Sequence, residues 1–325
     1  MKKRTFEVDI GSDAQSSLDA HAPLSIVEQN RYFHTTNGFR LPLGIYNVSA
    51  SRVCEKITRL SGNIERYIRA GNVLSPVNRN QELMQETIDY LELTLYAAAE
   101  HVDDVISIAA GFFPTKGKAK KDQGYKKLEK AIKEHKKFIA TGANYLKHKQ
   151  SRIRMFSMEF RQGGVTGSLH GYFFEGVENG TVCPDPTIHK GQDVFSITTL
   201  VWEALYLVLN LSKDLADFLR ASVKIPAGSA NIQFPRLSQA VIAAVRLPIY
   251  TFGEEHPFAR SALRIKSRNN DYSELDSGLY GSIENRWSKD VKVSFGQVIS
   301  RFEGDGVTKS FRFAQPKSVS FQHWE

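Results

Sequence analysis

Cysteine is scarce in this chain: 325 residues contain only Cys54 and Cys183, and neither has a second Cys or a His at zinc-site spacing. A zinc site built on cysteine is therefore not expected, and two sparse cysteines fit a reducing compartment in which thiols stay free. The basic start, MKKR, is not followed by the apolar segment of a secretory signal. These absences together predict a cytoplasmic protein.

Long hydrophobic runs are also lacking. The most apolar window, residues 194–211, is interrupted by polar side chains that include Glu203. Because a carboxylate at the centre of a membrane span costs about 2.5–3.5 kcal/mol, we expect a buried core helix here and no membrane partner. Inside such a helix, Glu203 is either paired with a buried cation or protonated, and an ion pair is the simpler interpretation.

Several catalytic motifs are missing as well. The chain has no glycine-rich nucleotide-binding motif, no H-E-x-x-H and no G-x-S-x-G, which disfavours phosphoryl transfer from nucleotides, zinc proteolysis and α/β-hydrolase chemistry. His189, Asp185 and Asp193 could form a carboxylate–imidazole cluster, but a metal site needs three or four convergent ligands, and the sequence does not show convergence. We therefore expect no metal and no cofactor.

Of all residues in the chain, 41% are apolar and 24% are charged, as in a globular protein with a core. Helical periodicity dominates the middle of the chain. A first helix is predicted to begin near Ser51 and to end near Gly71. A second, over 80–110, carries a heptad seam, and a third, over 125–146, repeats that seam and is expected to run antiparallel to the second. A fourth, over about 193–221, is apolar nearly all round and belongs in the middle of a bundle.

Between the third and fourth helices the apolar period becomes two. Arg154, Phe156, Met158 and Phe160 alternate with other residues and Gly163-Gly164 offers a turn, which predicts a β-hairpin at about 152–178. The fold class is therefore α+β: an antiparallel helical bundle with an inserted β-hairpin and a small strand-rich C-terminal region. The expected divisions are an N-terminal arm over 1–50, which contains a short strand over Thr5–Ile10, the bundle over 51–222, and a C-terminal α+β region over 223–325. That last region is predicted to contain a helix over 237–245, strands over 291–295 and 310–313, and a turn over 304–306.

Lysine is concentrated in one segment. Residues 116–137 hold ten lysines against three acidic residues, so they account for seven of the eight net positive charges of the chain. At 100° per residue, four of these lysines lie within about 30° of the direction opposite the seam of the third helix. Such a stripe attracts RNA or another polyanion by releasing counterions, or it is only a solvated face that keeps a structural protein in solution. The candidate nucleic-acid contacts are Lys126, Lys130, Lys133, Lys137, Arg152 and Arg154.

Asn144, Lys147 and His148 follow near the end of the third helix. Asn144 and His148 lie four residues apart, on one face that points away from the main core. An imidazole beside an amide can take part in acid–base chemistry, or it can interact with the helix dipole in a purely structural role.

The long antiparallel helices, the buried fourth helix and the Asn-x-x-Lys-His sequence resemble the HEPN-like helical bundles over residues 51–222. This superfamily includes ribonucleases of toxin and antiviral systems, in which an Arg is followed by a His after four to six intervening residues. No Arg in this chain is followed by a His at that spacing. The resemblance implies a non-catalytic or regulatory homodimer that binds a protein or nucleic-acid partner in a defence or stress response. The alternative is a metal-independent ribonuclease with Asn144, Lys147 and His148 at a dimer interface.

Overall fold

The computed structural model describes most of the chain up to residue 266 and two later strands. The described residues are 4–10, 16–28, 32–71, 77–148, 151–162, 165–179, 181–189, 194–226, 232–252, 257, 260–266, 287–292 and 318–323. The helices among them are α1 His21–Ser25, α2 Pro42–Gly71, α3 Val77–Ala110, α4 Lys116–Ala119, α5 Gln123–His135, α6 Lys137–His148, α7 Pro186–His189, α8 Thr199–Phe218 and α9 Pro235–Val245. The strands are β1 Arg4–Asp9, β2 Ile153–Gln162, β3 Val165–Glu178, β4 Thr181–Pro184, β5 Phe195–Ser196, β6 Ile249–Thr251, β7 Ser261–Lys266, β8 Trp287–Lys292 and β9 Ser318–His323. The predicted α+β class, dominated by a helical bundle, is confirmed.

The two longest helices, α2 and α3, pack side by side and antiparallel. Ser49 Oγ lies 2.8 Å from His101 Nδ1 near one end of the pair, and Arg66 lies 3.0 Å from Glu86 near the other. Residues later in α2 therefore contact residues earlier in α3, as expected for antiparallel helices. The predicted start at Ser51 is wrong, because α2 already begins at Pro42, a residue type that is favoured in the first turn of a helix.

The predicted third helix is divided into α5 and α6. Lys136 between them keeps helical dihedral angles, φ −80° and ψ −9°, and its carbonyl accepts a hydrogen bond from the amide of Ala140 at 2.7 Å. The path is therefore nearly continuous. On α6, Gly142 allows close packing, since a Cβ there would lie 2.8 Å from the Phe174 ring and 3.3 Å from Leu95 of α3.

The fourth predicted helix corresponds to α8, which lies at the centre of the bundle. Every residue from Thr199 through Ser212 is buried, which explains why no polar face is visible in its sequence. Among the helices that the structure describes, none combines the length and the apolar character that a membrane crossing would take. Five residues of π-helix, Leu219–Val223, end the segment.

The predicted β-hairpin is present. Strands β2 and β3 pair antiparallel from Ile153 opposite Phe174 to Gln162 opposite Val165; the Gly163-Gly164 tip lies outside the described residues. β4 and β5 both pair with β3. A Cβ on Gly171 would lie 2.7 Å from the Phe195 carbonyl oxygen, so only glycine lets β5 approach here.

The N-terminal residues are joined to the C-terminal region. The strand predicted over Thr5–Ile10 is present as β1, which pairs in parallel with β7. Helix α9 confirms the predicted helix over 237–245, and β6, β9 and β8 form an antiparallel sheet in that order. Strand β8 begins earlier than the predicted strand over 291–295, of which only 291 and 292 are described, and the expectations over 304–306 and 310–313 lie outside the described residues.

Candidate nucleic-acid interface

The lysine-rich segment forms α4, α5 and the first turn of α6. Asp122 caps α5, because its Oδ1 accepts a hydrogen bond from the amide of Tyr125 at 2.8 Å. Tyr125, Leu128 and Ile132 then recur at helical spacing and are buried, on the side of α5 that packs against α8. The lysines occupy the remaining positions, so the docking of one side of the helix presents the other side to water.

Nine of the ten lysines between residues 116 and 137 are exposed, and the tenth, Lys136, is half-buried. We call the surface formed by these nine the lysine face. Its members are Lys116, Lys118, Lys120, Lys121, Lys126, Lys127, Lys130, Lys133 and Lys137. The four lysines that the helical wheel groups into a stripe all belong to it.

The lysine face is not neutralised within the part of the chain that the structure describes, where none of its nine ammonium groups has a carboxylate within ion-pair distance. Two of the three acidic residues in this segment have other contacts. Asp122 caps α5. Glu129 lies beside Tyr125, and burial together with this carboxylate raises the pKa of Tyr125 to about 12. The third, Glu134, is exposed and forms no ion pair among the described residues. The positive charge therefore remains open to an external partner.

Asn144, Lys147 and His148 are all exposed at the end of α6. The ammonium of Lys147 lies 5.3 Å from the ring centroid of Tyr96 on α3, a cation–π contact that leaves its charge intact. Within the described residues, the side chains of Asn144 and His148 make no hydrogen bond. The structure therefore brings the three residues together on one exposed helix end, without a group that would orient the imidazole.

The two arginines predicted to extend the basic surface differ from each other. Arg152 is exposed, whereas Arg154 is buried, and its Nε lies 2.6 Å from Glu175 Oε2 across the hairpin. The burial and the ion pair of Arg154 disfavour the predicted contact with nucleic acid. Ile153 and Phe156 are buried too, so this end of β2 is covered on both faces and alternation along the strand does not identify an exposed side.

Glu203 is buried in α8 and forms an ion pair with Arg260, whose side chain is about half exposed. Glu203 is thus a paired carboxylate, but its partner is not the buried cation that was expected. Arg260 immediately precedes β7. The pair therefore helps to attach the C-terminal region to the central helix and has no place at the lysine face.

Sequence reasoning missed a polar chain between α2 and the hairpin. Ser157 Oγ lies 2.6 Å from His170 Nδ1 and 3.2 Å from the hydroxyl of Tyr67. Tyr250 locks the backbone of His170, since its hydroxyl accepts from the amide at 2.9 Å and donates to the carbonyl at 2.6 Å. The signal was present in the sequence, because a turn at Gly163-Gly164 puts Ser157 directly opposite His170.

A second missed cluster lies beneath the lysine face. The Asp214 carboxylate of α8 lies 2.7 Å from Arg4 and 3.2 Å from His135 at the end of α5. Burial acts to raise the pKa of Asp214, but hydrogen bonds from His135 and Arg4 outweigh it and hold that pKa below its ordinary value. The cluster ties α5 to α8 and β1, and it explains why a histidine interrupts the apolar seam of α5.

The remaining histidines are mostly core residues. Burial lowers the pKa from 6.5 to about 4 at each of four of them, His21, His101, His170 and His189. His189 accepts a hydrogen bond from the amide of Phe174 at 2.9 Å. Asp193 lies outside the described residues, and within them no three His, Cys, Asp or Glu side chains are grouped closely enough to hold a metal ion.

Comparison with protein-family models, with curated proteins and with solved structures gives no match. The function is therefore inferred from the geometry of the chain itself, together with the sequence resemblance to HEPN-like bundles. Of the surfaces described above, the lysine face has the clearest chemical character.

Proposed function

We propose that this chain is a non-catalytic, HEPN-like bundle protein that binds nucleic acid through the lysine face. The observation that carries the proposal is the presence of nine exposed lysines without a carboxylate partner among the described residues, on helices whose other side is docked in the bundle. A role in a defence or stress response, and pairing into a homodimer, follow from the resemblance alone and stay predictions.

The physical basis is the mutual repulsion of the lysines. Like charges four residues apart on a helix destabilise it by about 0.2–0.5 kcal/mol per pair, and Lys126 with Lys130 on α5 is such a pair. Glu129 and Glu134 lie four residues from Lys133 and Lys130 and offset part of this repulsion, but the segment still holds ten lysines against three acidic residues. Phosphates that bind between the ammonium groups reduce the remaining repulsion and release their own counterions to solution.

The alternative, a ribonuclease centred on Asn144, Lys147 and His148, has less support. A general acid or base must be held within hydrogen-bond reach of the proton that it transfers, and His148 is exposed without an orienting partner among the described residues. The same three side chains suit binding, because they continue the exposed side of α5 along α6. RNA that is incubated with the protein in the absence of metal should therefore be recovered intact from wild type and from His148→Ala alike.

Helix α2 offers a matched control for a binding test. Four exposed arginines on it, which we call the arginine face, each form an ion pair with a carboxylate. The pairs are Arg52 with Glu100, Arg59 with Glu55, Arg66 with Glu86 and Arg69 with Glu65. Changing these four arginines to Gln removes as much positive charge as changing Lys126, Lys130, Lys133 and Lys137 to Gln, but at a surface where each cation already has a carboxylate within ion-pair distance.

The test is the salt dependence of binding to a labelled, mixed-sequence RNA duplex, measured by fluorescence anisotropy from about 50 to about 200 mM salt. Wild type should bind, and the quadruple lysine variant should lower the slope of log K against log salt by about 3–4, at about 0.9 per lost phosphate contact. The quadruple arginine variant should keep the wild-type slope. No binding by wild type at the lowest salt, or equal losses in the two variants, would contradict the proposal.

A further inference from the structure

We infer that the lysine face binds the phosphate backbones of duplex nucleic acid, without sequence preference, and binds single strands more weakly. The inference rests on the proposed function and specifies the form of nucleic acid that the surface takes. Three properties of the surface carry it: the positions of its aromatic side chains, the chemistry of its cations and its shape.

Proteins that hold single strands stack the bases on exposed aromatic side chains. The described residues from 112 through 148 contain five aromatic side chains, and none of them is exposed. They are Phe112, Phe113, Tyr125, Phe138 and Tyr145. The ring of Tyr125 packs 6.5 Å from that of Phe218, and the ring of Phe138 packs 5.2 Å from that of Phe195. Tyr125 and Phe138 therefore pack against the bundle, and no Phe, Tyr or Trp ring is fully exposed beside the lysines in this part of the chain.

The cations of the surface are all lysines, since no arginine occurs between residues 80 and 151. A lysine is a compact point charge on a flexible stem, whereas the planar fork of an arginine suits bidentate contacts with a guanine edge. Contacts to phosphate position a protein on nucleic acid but carry no sequence information directly. The surface therefore favours the backbone over the base edges, and two duplexes of unrelated sequence should bind alike.

The shape of the surface also favours a duplex. The exposed lysines from Lys126 to Lys137 follow one another along α5 and into the first turn of α6, and eleven residues at the helical rise extend about 16 Å. Over that distance a duplex presents about ten phosphate charges and one strand about five. A row of lysines that depends on charge alone should therefore bind the form with the higher charge density.

An anionic membrane is the other polyanionic surface that lysines could contact, and the structure argues against it. A helix that binds in a membrane interface buries an apolar side among the lipids, whereas Tyr125, Leu128 and Ile132 of α5 are already buried in the bundle. The large hydrophobic residues that are exposed in the described part of the chain are Ile26, Leu41, Val48, Leu93 and Val177. None of them lies between residues 116 and 148.

The experiment compares four probes by equilibrium binding at about 50 mM salt. They are two unrelated duplexes of about 20 base pairs, one unstructured single strand of the same length, and vesicles that contain phosphatidylserine. Wild type should bind the duplexes within about threefold of each other and the single strand about tenfold more weakly, and it should leave the vesicles in solution. The quadruple lysine variant should lose duplex binding by about tenfold or more, while the quadruple arginine variant keeps it.

The outcomes separate this inference from the proposed function. If wild type binds no nucleic acid, or binds only the vesicles, both are wrong. If the single strand binds as tightly as the duplexes, or one duplex sequence is strongly preferred, while the lysine variant still loses binding, then the inference is wrong and nucleic-acid binding by the lysine face stands. Circular dichroism of both variants checks that their helices are intact.

Discussion

Helices α2 and α5 both present exposed positive side chains, and they differ in what surrounds those side chains. Each arginine of the arginine face has a carboxylate partner on α2 itself or on α3. No member of the lysine face has such a partner among the described residues. The charge of the arginine face is therefore partly offset within the fold, since Glu55 and Glu65 also pair with Arg236 and Arg246, whereas the charge of the lysine face can attract an external anion.

Arg154 adds a third arrangement, in which the cation is buried and its partner Glu175 is largely buried. A count of basic residues treats the three arrangements as equal, although only one of them offers charge to a ligand. The position of carboxylates therefore distinguishes a binding surface from a structural one. Variants that remove a carboxylate where one is present, or lysines where none is, test this distinction.

The largest expected effect follows from Glu175→Gln, which removes the negative charge from the buried pair with Arg154. Breaking a buried ion pair by changing one partner costs about 3–5 kcal/mol, so the free energy of unfolding in urea should fall by about that amount. The matched control is Glu86→Gln, the exposed partner of Arg66 on the arginine face, where the loss should stay within about 1 kcal/mol. Similar losses in the two variants would show that burial does not distinguish these pairs.

A second effect is the loss of stability in acid, which depends on His101 in the core between α2 and α3. The lysines and arginines of the two faces stay charged in this pH range. Burial lowers the pKa of His101 from 6.5 to about 4, so between these values the unfolded chain binds a proton that the folded protein does not. The stability of the folded state is therefore not reduced by this group above pH 6.5, and it falls as the pH is lowered from 6.5 to about 4. For one histidine the loss reaches about 3 kcal/mol.

His101→Gln isolates this contribution from those of the other buried histidines. The variant removes the titrating group, so the difference in unfolding free energy between wild type and variant should shrink as the pH is lowered from about 7 to about 4.5. Urea unfolding at the two pH values measures it. A difference that stays constant would mean that His101 does not couple folding to protons.

Much of the fold could be predicted from local patterns, because α2, α3 and α5 carry apolar residues at helical spacing and the hairpin follows a period of two around a Gly-Gly turn. The lysine face was visible for the same reason: its lysines lie opposite Leu128 and Ile132. The burial of Arg154 was not predicted, because this end of its strand is covered on both faces. Alternation of side chains along the strand then no longer separates buried positions from exposed ones. The parallel pairing of β1 with β7 joins residues more than 250 positions apart, and no local pattern specifies such a contact.

The smallest expected effect is on the stability of the two quadruple variants. The arginine variant should be slightly less stable than wild type, because exposed ion pairs contribute little individually and four of them are removed together. The lysine variant should change less, since it removes the repulsion between Lys126 and Lys130 and also the attraction of Lys133 and Lys130 for Glu129 and Glu134. Added salt screens both contributions. The melting temperatures of wild type and the lysine variant should therefore converge as the salt concentration rises. An equal loss of stability in both quadruple variants at low salt would show that the lysines have partners within the fold.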